Sequence, residues 1–83
     1  MVLGDTKRRI KWLDQDTPIG TYLCNYGEET HGCPDTAQAI VTINAVTYDN
    51  MLFKTFTYIT VATGKMYTNT YSTTGGMQNW VER

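Results

Sequence analysis

The final twenty residues, GKMYTNTYSTTGGMQNWVER from Gly64 to Arg83, constrain this chain most. Turn-forming residues stand at Thr63-Gly64 and again at Thr74-Gly75-Gly76, with a Tyr-x-x-x-Tyr segment between them. Alternation of period two puts Tyr67, Asn69 and Tyr71 on one face and Met66, Thr68 and Thr70 on the other. That pattern reads as a hairpin, and a two-stranded hairpin is not stable alone in water. The preceding residues must therefore supply a sheet for it to join.

They do so in three pieces. Gly20 to Tyr26 reads as a short strand with Tyr22, Cys24 and Tyr26 on one face. Ala39 to Tyr48 is the clearest strand. Ile40, Val46 and Tyr48 share one of its faces and Val41, Ile43 and Ala45 the other, so both faces are expected to be partly covered. After an Asp49-Asn50 turn, Met51 to Ala62 forms a long strand, with Phe53, Ile59 and Val61 opposite Phe56, Tyr58 and Ala62. Strands joined by short turns favour an antiparallel meander. The expected fold is mainly β: a small antiparallel sheet of four to five strands, closed by Lys65–Ser72 and Met77–Glu82, with at most one helical turn near Pro34-Asp35-Thr36. Trp80 is expected to bury against Ile40, Ile43, Ile59 or Val61, and Trp12 to fold back on the sheet as an anchor.

Eighty-three residues suffice for one small core. Residues 1–13, with the basic run Lys7, Arg8, Arg9 and Lys11, read as an N-terminal linker, and 14–83 as the folded domain. A net charge of −1 offers no basic field for nucleic acid. The sequence has no apolar run long enough to span a bilayer, so no membrane insertion is expected. The N-terminal residues carry no apolar core segment, so no signal peptide is expected either.

Candidate chemistry is sparse. Cys24, His31 and Cys33 leave three readings open: part of a metal site, a disulfide, or two free thiols. The His31-x-Cys33 spacing is unusual for zinc, and the expectation is no metal and no cofactor. One His, one Ser (Ser72) among Thr residues, and the acidic pairs Glu28-Glu29 and Asp14/Asp16 in polar loops do not compose a catalytic set. An enzyme is not expected. The irregular loop Gly27 to Thr36, free of core periodicity, is the candidate recognition element, with Glu28, Glu29 and His31 its most telling side chains.

Four pieces in order resemble the knob-type domain of R-type pyocin and phage tail fibres. They are Asp16-Thr17-Pro18-Ile19-Gly20-Thr21-Tyr22, a loop with Gly32 and Pro34, the apolar strand Ala39 to Val46, and an ending of Lys65-Met66-Tyr67-Thr68-Asn69-Thr70-Tyr71 followed by a Gly turn and Trp80-Val81-Glu82. The resemblance covers roughly Asp14 to Arg83. Asn69 stands where such domains commonly carry Arg, and Met77 where they carry a second Trp, so contacts through those two positions differ here. The resemblance implies a non-enzymatic receptor-binding module of a homotrimeric fibre in a virion tail. Such fibres assemble in the bacterial cytoplasm and act outside the cell, in contact with other tail or fibre proteins and with a bacterial surface glycan or protein. A small phage-encoded inhibitor, binding a host defence protein or a signalling nucleotide, is the alternative that size and lack of motifs also allow.

Overall fold

The computed structural model describes residues 9–25 and 30–83. Among them seven strands form one mixed sheet: β1 (Arg9–Ile10), β2 (Gly20–Cys24), β3 (Ala39–Tyr48), β4 (Met51–Thr60), β5 (Met66–Ser72), β6 (Gly76–Met77) and β7 (Val81–Glu82). Strands β2 to β6 run as an antiparallel meander, and β1 adds in parallel beside β2. The mainly β expectation holds, with more strands than the four or five expected and no helix among the described residues.

The long central strands form because β-branched and aromatic residues alternate between two surfaces of a pleated sheet. The β3–β4 turn, Asp49-Asn50, has both residues at positive φ (52° and 62°), the mirror-image geometry that matches strand twist in a two-residue hairpin. The expected closing strand Met77–Glu82 is broken in two. β6 pairs with β5 at Tyr71 and Ser72, whereas β7 pairs with β5 at Tyr67 and Thr68. Residues 78–80 arch between them, pinned by the Gln78 N–H to the Thr70 carbonyl (2.9 Å) and by the Asn69 amide to the Gln78 carbonyl (3.0 Å).

Among the described residues only one sheet face is covered. Cys24, Ala39, Val41, Ile43, Phe56, Tyr58 and Tyr67 are buried on it, together with Leu13 from the preceding segment. Loops rather than a second layer supply the cover. The opposite face is open, which corrects the expectation that β3 is partly covered on both sides: Ile40 is 48%, Val46 63% and Tyr48 75% exposed. The register lays an apolar row across four strands, Leu23–Ile40–Ile59–Met66, and beside it a threonine row, Thr21–Thr42–Thr57–Thr68. From β2 to β5 the strands' own side chains on this face are uncharged, while Arg83 reaches onto it and donates from Nε to Thr68 Oγ1 (3.1 Å).

The end of the stretch read as a linker belongs to this sheet. Arg9 and Ile10 pair with Leu23 and Cys24, and Leu13 is 2% exposed. Trp12 does not anchor on the sheet; it is exposed and stacks on His31 with ring centroids 4.2 Å apart. Leu13, its neighbour, takes the core position because the bridge between Trp12 and His31 turns alternate side chains inward and outward.

Candidate functional site

Two neighbouring groups of polar side chains organise the covered face. In the first, Lys54 stands on the core side of β4 between Leu52 and Phe56 and is 8% exposed. Its ammonium donates to the carbonyls of Gln15 (2.7 Å) and Thr17 (3.0 Å), tying the 14–17 turn down onto the sheet. Within that turn Asp14 Oδ1 accepts from the Asp16 N–H (2.8 Å) and Thr17 Oγ1 accepts from the Asp14 N–H (3.1 Å).

In the second group, the Asn25 amide donates to the carbonyls of Asp35 and Ala37 (3.0 Å each) and lies 2.6 Å from the Tyr58 hydroxyl. Asp35 Oδ1 accepts from the N–H groups of Thr36 and Ala37, and Oδ2 accepts from the Tyr67 hydroxyl at 2.9 Å. An Asx turn thus occupies the place where a helical turn was allowed for. The Ala37 N–H, then the Tyr67 hydroxyl, hold the Asp35 carboxyl below its usual range. The same hydrogen bond raises Tyr67, and burial first of all pushes Tyr58 far up.

Between the 14–16 turn and the 77–80 arch lies a groove of about 440 Å³, lined chiefly by Asp14, Gln15, Asp16, Asn69, Gln78 and Trp80. Trp80 is half-buried. Its indole N–H donates to the Gly32 carbonyl (3.0 Å), and its ring meets Phe56 and Tyr58 edge-on at 6.2 and 5.9 Å. Of the expected neighbours, Ile40 and Ile59 are ruled out because they point from the opposite face, while Ile43 belongs to the cluster that Trp80 packs against. The groove lining contains amides and carboxylates but no Lys or Arg. Gly32, at φ +85°, passes so close to Leu13 that a Cβ there would stand 2.1 Å from the Leu13 carbonyl oxygen.

Of the expected recognition residues, His31 is exposed and stacked on Trp12, one residue before the groove-lining Gly32. Glu28 and Glu29 lie outside the described residues. Sequence reasoning missed Lys54 and the groove. Period-two alternation did place Lys54 on the face of Phe56, but nothing local names the turn it holds. Cys24 and Cys33 are free thiols, and no three His, Cys, Asp or Glu side chains among the described residues are grouped to hold a metal ion. No protein-family model, curated protein or solved structure matches this chain.

Proposed function

We propose that the chain is a non-enzymatic attachment module of a phage or phage-like tail fibre. In this reading it acts as a homotrimer in the virion tail and contacts a glycan on the bacterial surface. The groove beside Trp80 carries the reading. It offers amide and carboxylate hydrogen-bond partners around an indole whose N–H is already engaged with Gly32, so the ring rather than the N–H remains for the ligand. Hydroxyl-rich ligands use that combination, with polar groups to orient them and an aromatic surface to pack on. The His31–Trp12 stack adjoins it in the chain, through Gly32 and Leu13, which line the groove. The resemblance of Asp16–Tyr22 and Lys65–Glu82 to tail-fibre knobs supports the same reading. The open face, apolar and rich in threonine, suits contact between copies, and three copies on one axis turn weak single-site binding into useful avidity.

The test is attachment to intact bacterial cells. Gln15→Ala with Asn79→Ala changes the groove rim at exposed positions. The double variant should lose attachment while keeping the wild-type melting temperature and oligomeric mass. Normal attachment by the variant overturns the groove as contact site. A wild-type protein that ignores cells and binds a cytosolic protein or nucleotide favours the inhibitor reading instead.

A further inference from the structure

Cys24 and Cys33 are the chain's two cysteines, and the fold brings them together. Cys24 ends β2 with none of its surface exposed. Cys33 lies beyond the loop that leaves β2 and packs, half-buried, against the cluster that contains Cys24. The two thiols lie close enough for each to shift the other's ionisation, and Tyr58, of the same cluster, adjoins Cys33. The pair is asymmetric. Interaction with Cys24 holds the Cys33 thiol down against its own burial, whereas interaction with Cys33 and burial push Cys24 up. Cys33 is thus the more accessible and the more readily ionised thiol, and Cys24 is shielded within the cluster that Cys33 packs against. Exchange with a disulfide needs such an attacking thiolate and a second thiol within reach.

We propose that Cys24 and Cys33 form an oxidisable dithiol that closes to an intramolecular disulfide on meeting a low-molecular-weight disulfide, tying residue 33 to the end of β2. The Cys33 thiolate attacks one sulfur of the oxidant RSSR, forming a mixed disulfide and releasing RS⁻, which takes up the proton Cys33 lost. Cys24 then attacks the Cys33 sulfur, breaking the mixed bond and passing its own proton to the second RS⁻. The net change is one protein disulfide and two RSH. The dithiol does not depend on the attachment reading. Under that reading, closure follows the passage from a reducing cytoplasm to an oxidising exterior.

The experiment exposes the reduced, folded protein to excess oxidised glutathione, followed by intact mass and by alkylation after unfolding. The expected product is a monomeric chain lighter by two hydrogens, with no alkylatable thiol and a raised melting temperature that falls back on reduction. Cys24→Ser should stop at a stable glutathione adduct on Cys33, and Cys33→Ser should stay unmodified while folded. Two persistent thiols, a lasting glutathione adduct on the wild type, or a disulfide between chains overturns the proposal. Should Cys24→Ser not fold, brief alkylation of the wild type decides the order of attack: Cys33 modified before Cys24 supports it, and the reverse overturns it. Cell attachment is scored separately, so an attachment failure leaves this result standing.

Discussion

Lys54 and Asp35 show how single side chains hold loops in the place of a second layer. Lys54→Met keeps the aliphatic stem but leaves the Gln15 and Thr17 carbonyls without their donor. A loss of about 1–3 kcal/mol is expected, the usual cost of orphaning buried polar groups, read from urea unfolding. Asp35 acts through pH. Its folded carboxyl titrates below the ordinary value because the Ala37 N–H and the Tyr67 hydroxyl bond the ionised form. A depressed acid stabilises the fold at pH values above its unfolded pKa of about 3.9, and that contribution disappears as pH falls through the folded value. Asp35→Asn should therefore be less stable than wild type at neutral pH and lose less on acidification, so that the gap between the two melting temperatures closes as pH falls through the folded value. Alternation along β4 and β5 made the faces of Lys54 and Asn69 legible in the sequence. Their partners were not, because the 14–17 turn and the 78–80 arch meet those strands only in the tertiary fold.

At the scale of elements, turn chemistry is what the strands depend on. Asn50 sits at φ 62°, a conformation that Gly adopts freely and Asn tolerates. Asn50→Ala should cost about 1 kcal/mol, while Asn50→Gly should leave stability equal or higher; thermal melts of the two variants check the sign. Gly32→Ala should be worse than either, because the added Cβ meets the Leu13 backbone rather than a movable side chain. It should unseat the 30–33 loop from Leu13, lengthen the Trp80–Gly32 hydrogen bond and shift indole fluorescence. The long strands β3, β4 and β5 and the turns at Asp49-Asn50, Thr63-Gly64 and Thr74–Gly76 were readable because each combines enough alternating residues with turn formers. β1 was not, since two residues carry no period. The split of β6 from β7 was hidden for a related reason: Trp80 read as a strand residue, whereas the arch it belongs to is set by Asn69 reaching across to Gln78.

At the scale of the molecule, the defining feature is a sheet with one covered face. Stable domains generally bury a sheet against a second layer, and here loops do this on one side alone. The open face spans four main strands and about ten residues along the longest, so its flat area is about 30 Å by about 20 Å, or about 600 Å². That approaches the about 800 Å² that each partner contributes to an ordinary stable interface. Its exposed Ile40, Val46, Tyr48 and Ile59 lie among threonines on strands whose own side chains there are uncharged, and Arg83 reaches it at Thr68 on β5. Under the fibre reading, native mass spectrometry of the wild type should give a trimer at micromolar concentration. Ile40→Lys combined with Val46→Lys leaves the covered core untouched but places an unpaired ammonium at two points of each contacting face. The variant should be a monomer with an unchanged far-ultraviolet spectrum, and its attachment to cells should fall by the avidity that three linked sites supply. A wild type that is already monomeric, or a variant that remains trimeric, would show that the open face is not where copies meet.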